Sequence, residues 1–362
     1  MSYVLAYSDQ TSGAECIAPV IRVLKNCGVE VLVLAKGLAK RVFEKHKLDF
    51  IEINHIVEYL PKILDGNGNP SLVLTSSTSI PSEDTSENEI RKWARENQIP
   101  SIAVLDQWHN YARRFTDTSG NLHLPDVLVV PDKLAKEEAI EDGIPSEIIE
   151  ITGQPYLENI ASKKLGANIR QKYDIGKDSK LIIFASECVR RVYGDARGFD
   201  ECSILKALVE ALLEINDSDI VLGIKLHPRN QVEDFAPIKP FLDDASKRLK
   251  IIFLGNDDGH DTILSADIIT GMTSIYLAEA MLLGKPTVSI QIGSVEGDKF
   301  IGTKMGAIPL VDTKERLFDV LHKLLYDKYF LDKYIAAQKQ FSYNQKNAAE
   351  NIANLCIKLM KV

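Results

Sequence analysis

Apolar residues fall along this chain in short unbroken runs, separated by longer stretches in which they recur every three or four positions. The first run, 3–7, leads into the polar loop SDQTSGA. Ile17, Val20, Ile21 and Leu24 then show the i, i+3, i+4, i+7 spacing of one helix face, and Gly28 stops the pattern. The next run, 29–34, is apolar but for Glu30 and reads as a buried parallel strand. Further strands are expected at 49–53, 72–75, 102–105, 127–130 and 148–151, with helical patterns between most of them. This alternation predicts βαβ units and a parallel sheet with right-handed crossovers. The grammar restarts after Gly153-Gln154-Pro155 and a polar stretch at 159–179, with strands expected at 181–185, 220–226, 250–253, 268–270 and 286–290. Helices are expected at 314–325, 328–340 and 348–360, and the Ser/Thr-rich 76–87 reads as a mobile loop.

The fold class expected is therefore α/β: two doubly wound parallel-sheet domains, 1–155 and 156–343, with C-terminal helices. The last of these, 344–362, is expected to cross back onto the first domain. Two such domains imply a cleft reached by the C-terminal ends of strands from both.

Composition narrows the class. The 362 residues are 45% hydrophobic and 26% charged, ordinary for a soluble globular chain long enough for two cores. A net charge of −8 argues against general binding to nucleic acid or anionic membrane. No run approaches the roughly 18 apolar residues of a membrane span, and MSYVLAYSDQ lacks a signal-peptide pattern. The five cysteines have no C-x-x-C spacing and read as reduced structural thiols in a cytoplasm; with the seven histidines they form no metal-ligand pattern.

The richest chemistry lies at 265–293, SADIITGMTSIYLAEAMLLGKPTVSIQIG: a short strand, a Gly-Met-Thr-Ser turn, a helix and another strand. A helix start carries free N–H groups and roughly half a positive charge, which suits an anion. Gly271 permits close backbone approach beside Met272, and the hydroxyls of Thr273 and Ser274 can either cap the helix or hydrogen-bond an anion. Glu279 lies about 7.5 Å further along the axis, about the step from a diphosphate to the ribose of the same nucleotide. The segment is suited to a nucleoside diphosphate, provided that none of the chain's own side chains fills the helix start.

Other clusters end predicted strands. In GIKLHPRN, Pro228 stops the strand, leaving His227 and Arg229 to contact phosphate or a base edge. SECVRRVYGDARG offers Ser186 and three guanidinium groups, Arg190, Arg191 and Arg197; these either neutralise a leaving diphosphate or form a solvated loop. Ser12 and Gly13 precede Glu15, which is either a general base at a helix start or a plain first-turn acid. Asp106, Trp108, His109, Asn110 and Tyr111, followed by Arg113, Arg114 and Phe115, combine exposed aromatic faces, an imidazole and a carboxylate, as a sugar site requires, the alternative being that the aromatic residues pack in the core. Asp106 is the second candidate base. His260, after Asp257-Asp258-Gly259, reads as a cap.

Taken together, SGAECIAPVIRVLK, ITGQPYLENI, KLHPR and GMTSIYLAEAMLLGKPTVSI resemble, in the same order, elements of the GT-B sugar-nucleotide enzymes. The nearest branches are bacterial surface-polysaccharide glycosyltransferases and UDP-N-acetylglucosamine 2-epimerases. The resemblance implies two Rossmann-like domains facing a cleft, with Thr273 and Ser274 on diphosphate, Glu279 on ribose and Glu15 as catalytic carboxylate. It implies no metal and no cofactor, the nucleotide-sugar being a substrate. The epimerase pattern has Arg-Pro-Glu where this chain has Gly13-Ala14-Glu15, and Ser-Gly-Gly where it has Met272-Thr273-Ser274. Both departures count against epimerisation.

The expectation is a cytoplasmic, metal-independent glycosyltransferase of cell-envelope or capsule polysaccharide synthesis, a reading that fails if the helix start after 271 is filled by the chain's own side chains or points away from the other domain. Its partners would be a nucleotide-sugar such as a UDP-sugar, held by Ser186, Arg190, Arg191, His227, Arg229 and residues 271–274 and 279, and a saccharide or lipid-linked acceptor hydroxyl. The acceptor would lie near Ser12, Gly13, Trp108, His109 and Tyr111. No nucleic acid and no integral membrane segment are expected, and the oligomeric state is left open. A 2-epimerase, hydrolysing or not, is the alternative within the same fold; a non-catalytic nucleotide-sugar-binding partner is the alternative outside it.

Overall fold

The computed structural model describes residues 2–77, 84–255, 257, 259–339, 341 and 347–360. Half of the loop expected at 76–87 (residues 78–83) lies outside them. The chain divides into two compact units, residues 1–159 with 344–362, and residues 160–343.

In the first unit the elements alternate: β1 (Tyr3–Ser8), α1 (Thr11–Asn26), β2 (Glu30–Ala35), α2 (Ala39–Lys45), β3 (Ile51–Glu52), α3 (Ile56–Asn67), β4 (Leu72–Thr75), α4 (Ser86–Glu96), β5 (Ser101–Val104), β6 (Val127–Val130), α5 (Lys133–Glu141) and β7 (Ile149–Ile151). All seven strands are parallel, in the order β3-β2-β1-β4-β5-β6-β7. β1, β4 and β5 are buried along their whole length, the continuous apolar signature of strands covered on both faces. Alternate residues of β1 feed opposite cores, because successive side chains of a strand point to opposite faces. Val4 and Ala6 pack with the apolar stripe of α1, whereas Tyr3, Leu5 and Tyr7 pack with Ile56 and Leu60 of α3 and Ile90 and Ala94 of α4.

The second unit contains α6 (Ile169–Lys172), β8 (Lys180–Ala185), α7 (Val189–Tyr193), α8 (Glu201–Ile215), β9 (Ile220–Lys225), α9 (Lys239–Ala245), β10 (Lys250–Leu254), α10 (Gly259–Ser265), β11 (Ile268–Gly271), α11 (Ile275–Leu282), β12 (Thr287–Ser289), α12 (Ile301–Lys304), α13 (Lys314–Tyr326) and α14 (Lys328–Gln338). Its five strands are parallel in the order β10-β9-β8-β11-β12. Helix starts are set by local chemistry: Asp200 accepts the N–H of Ser203 at 2.7 Å in a reciprocal capping box, and Thr313 and Asp327 cap α13 and α14. The edge strand β12 is sealed by α14, where Gln338 accepts the N–H of Thr287 at 2.9 Å and Tyr334 donates to its carbonyl at 2.8 Å.

The last helix, α15 (Ala348–Leu359), belongs to the first unit. Its Ala349, Ile352, Ala353 and Cys356 complete the core around α1. Ile352 is fully buried, so Ile352→Ala should destabilise the first unit by about 2–4 kcal/mol. Urea unfolding read by circular dichroism checks this, and a loss under about 1 kcal/mol would show the helix to be loosely held.

Candidate functional site

Each sheet reverses its strand order beside its first strand, between β1 and β4 and between β8 and β11. At such a point neighbouring connections depart to opposite faces and leave a crevice outside the strand ends, where doubly wound sheets bind ligands.

In the second unit that crevice is occupied by the protein itself. Glu187 stands two residues past the end of β8, and its Oε1 accepts the N–H groups of Met272 (3.1 Å), Thr273 (2.6 Å) and Ser274 (3.0 Å). Its Oε2 accepts the Thr273 hydroxyl at 2.8 Å. The open helix start that the sequence reading required is therefore filled by a carboxylate. Burial raises the Glu187 pKa, against the opposing pull of the Thr273 hydrogen bonds and the charge of Arg197. Ser274 spends its hydroxyl as the cap of α11, accepting the N–H of Tyr276 at 3.2 Å. Gly271 lies in close packing: a Cβ there would lie 3.1 Å from both the Ala185 carbonyl and Leu277, so a neighbour would have to give.

Of the three arginines, Arg190 and Arg191 are exposed on α7, and Arg197 is the buried one. Its Nη1 donates to the Thr273 hydroxyl at 3.2 Å and its guanidinium lies 3.9 Å from the Tyr193 ring centre, while its buried Nε has no hydrogen-bond partner. Backbone contact fixes it. Gly198 has φ +78, a Cβ there would lie 2.1 Å from the Gly293 carbonyl, and the Arg197 carbonyl accepts the N–H of Val295 at 3.2 Å.

Beside this turn, His227 Nδ1 accepts the backbone N–H of Arg229 at 3.1 Å and faces the Cys188 sulfur at 3.3 Å. Burial and the Arg229 charge push its pKa down to about 4, so the ring is neutral near pH 7 with its proton on Nε2. The Cys188 thiol is pushed up to about 11 by burial and stays protonated. Ser186 donates to Asn230 at 3.0 Å. Glu279, expected on ribose, is buried against His260 Nε2 at 3.2 Å, a contact that the reading of His260 as a cap did not include.

The first unit closes its crevice from within as well. Ser8 and Ser76 share a 2.7 Å hydrogen bond across the ends of β1 and β4, and Ser76 donates to Glu87 of α4. A Cβ on Gly13 would lie 2.4 Å from the Ser76 hydroxyl, so glycine lets α1 begin against the end of β4; Ser12 sits half-buried in that first turn. Arg91 is fully buried, its guanidinium donating to Thr75 (3.0 Å), Asn88 (2.6 Å) and the His123 carbonyl (3.1 Å). Glu15 is the fifth residue of α1, past its first turn. His46 Nε2 lies 2.7 Å from its carboxylate and Lys45 3.1 Å, both at the end of α2. Burial alone would raise its pKa, but these two partners together lower it.

The loop after β5 needs correction. Trp108 and Tyr111 were expected to be exposed; they are 3% and 5% exposed. Trp108 donates to Asp132, the cap of α5, at 2.7 Å, and Tyr111 to Glu138 at 2.6 Å. With each polar tip paired, burying the rings is favourable and no stacking face is left for a sugar. Asp106 is buried in a 2.6 Å ion pair with Arg114, which also donates to the His109 carbonyl at 3.0 Å. Among the described residues no three His, Cys, Asp or Glu side chains group so as to hold a metal ion, and no helix is long and apolar enough to cross a membrane.

No protein-family model matches the chain, and no curated protein matches it in sequence. Solved structures do match it along its whole length. The S. aureus MnaA–UDP structure has a TM-score of 0.71 at 19% identity, covering 100% of this chain and 98% of that one. The Neisseria meningitidis UDP-GlcNAc 2-epimerase bound to UDP-GlcNAc has a TM-score of 0.71 at 16% identity, covering 99% and 100%. A Rickettsia africae glycosyltransferase has a TM-score of 0.69 at 16% identity, covering 99% and 98%. The chain shares the GT-B fold of these structures. At these identities the GT-B likeness is one of architecture, two parallel-sheet α/β units of seven and five strands.

The His227 pKa sets a pH dependence. A group with a depressed folded pKa contributes stability above its unfolded value, near 6.5, and loses it as pH falls toward the folded value. Relative to His227→Gln, the wild-type chain should lose about 2 kcal/mol of unfolding free energy between pH 7 and pH 4.5. Parallel urea curves for the two proteins at both pH values would contradict a buried neutral imidazole.

Proposed function

We propose that this protein is a nucleotide-sugar-dependent enzyme that transfers a sugar to an acceptor hydroxyl, with the nucleotide held by the second unit. The observation that carries the reading is the convergence of three backbone N–H groups and the Thr273 hydroxyl on one anion at the strand-order reversal, with the buried Arg197 guanidinium alongside. That set can stabilise a departing phosphate without a metal, because its donors are fixed before charge develops. The likeness in fold to structures holding UDP and UDP-GlcNAc supports the same ligand class. The Glu187 carboxylate counts against an open seat, so the proposal requires that a phosphate replace it.

In this reading His227 Nε2–H and Arg229 would donate to the nucleotide, neutral and charged donors side by side. Asp106 is engaged by Arg114, and Glu15 by Lys45 and His46, so either would act as base from within an ion pair. A UDP-N-acetylglucosamine 2-epimerase is the second reading, favoured by the fold likeness to the N. meningitidis 2-epimerase. The place in polysaccharide synthesis and a cytoplasmic location remain part of the proposal.

A thermal-shift panel of UDP, CDP, CMP, GDP and dTDP tests the ligand class. A ligand at 100 times its dissociation constant stabilises the folded state by about 2.7 kcal/mol, a clear upward shift. Silence across the whole panel at millimolar concentration would sink the nucleotide reading. Incubation with UDP-N-acetylglucosamine and no acceptor then separates the reactions: slow hydrolysis alone is expected of a transferase, whereas the 2-epimer, or its free sugar with UDP, would identify an epimerase.

A further inference from the structure

Glu187 does more than satisfy a helix start. Its two oxygens take four donors from residues 272–274, which is a complete anion seat with an anion in it. The carboxylate nonetheless under-fills the seat in charge. Arg197 contributes one positive charge and the start of α11 roughly half of another, against a single negative charge on Glu187. Arg197 is 3% exposed and its Nε has no hydrogen-bond partner, although its Nη1 already touches Thr273. A buried cation with an unused donor beside an occupied anion seat is suited to a larger, doubly charged group. A phosphate has both the extra oxygen and the extra charge.

The geometry points to Glu187 as an intramolecular stand-in for phosphate: its carboxylate closes the α11 seat in the unliganded protein, and a phosphorylated ligand binds only by displacing it. This rests on the reading of that helix start as a ligand seat and adds to it a built-in competitor. The two anions exclude one another, because each needs the same N–H groups and like charges side by side repel. The local chain permits the exchange. Glu187 is half-buried as a residue. It lies between β8 and the five-residue α7, whose cap position, Cys188, makes no side-chain capping bond and whose far end is Gly194 at φ 56. Arg197, by contrast, is pinned through the Gly198–Gly293 crossing and stays in place for either anion. The consequence is a site that ignores weak or singly charged anions.

The test is calorimetric titration of the full chain and of Glu187→Ala and Glu187→Gln with two probes, inorganic pyrophosphate and UDP. Removal of the carboxylate should tighten pyrophosphate binding at least about tenfold in Glu187→Ala, and by less in Glu187→Gln, whose amide oxygen still accepts N–H groups. Thr273→Val added to Glu187→Ala should abolish the gain. Should Glu187→Ala not fold, Glu187→Gln is held to the same direction. Pyrophosphate binding no tighter than wild type in folded variants overturns the proposal and makes Glu187 a permanent cap, and so does a gain that survives Thr273→Val. Tighter pyrophosphate with no UDP binding by any variant upholds the stand-in and removes the nucleotide reading. UDP binding equal in all three proteins removes the stand-in and leaves the nucleotide reading standing.

Discussion

The carboxylate of Glu187 on the N–H groups of Met272, Thr273 and Ser274, the turn that leads into α11, is the contact around which this edge of the second unit is arranged. A parallel sheet that reverses its strand order must leave a crevice there, and the helix that begins in it brings donors with no partner in the helix itself. Buried donors of that kind demand an acceptor. Here the acceptor is supplied from the neighbouring connection, and the rest follows. Thr273 shares its hydroxyl between Glu187 and Arg197, and two glycines cross at Gly198 and Gly293 so that the guanidinium can lie beside the turn.

The first unit places a different polar cluster at its own reversal. Its reversal lies between β1 and β4, where Ser76 donates to Glu87 and the fully buried Arg91 lies 3.9 Å from the same carboxylate. In both units a hydroxyl just past the later strand meets a carboxylate, and a buried arginine balances it. The difference is in satisfaction. Arg91 uses Nε, Nη1 and Nη2 in hydrogen bonds within the protein, whereas Arg197 keeps Nε unused. A saturated cluster holds a fold together; an unsaturated one retains capacity for a ligand.

The architecture was legible because its signal is local. Strands buried on both faces read as unbroken apolar runs, and the stripe Ile17, Val20, Ile21, Leu24 marks the face of α1 that is fully buried. The site was only half legible, because its contacts join residues far apart in sequence. Glu187 meets its partners 85 to 87 positions away, and nothing in SECVRRVYGDARG separates Arg197 from the exposed Arg190 and Arg191. An acidic residue two places after a strand, opposite a predicted helix start, was the available signal. Trp108 and Tyr111 misled for a physical reason: a ring with one polar tip suits a sugar site and a core equally, and only the partner decides. Asp132 and Glu138, 24 and 27 residues further on, were those partners.

The charge states beside the turn limit the chemistry that any ligand would meet there. Cys188 and His227 are 3.3 Å apart and superficially form a nucleophile–base pair. With the thiol pushed up to about 11 and the imidazole down to about 4, the pair stays neutral across the physiological range. His227 Nδ1 is moreover engaged by the Arg229 N–H, which leaves only the Nε2 proton to offer. Covalent catalysis from this cysteine is therefore disfavoured, and the crevice is left with fixed donors: backbone N–H groups, one neutral imidazole and guanidinium charge. Such a set stabilises negative charge as it develops on a leaving group and supplies no base.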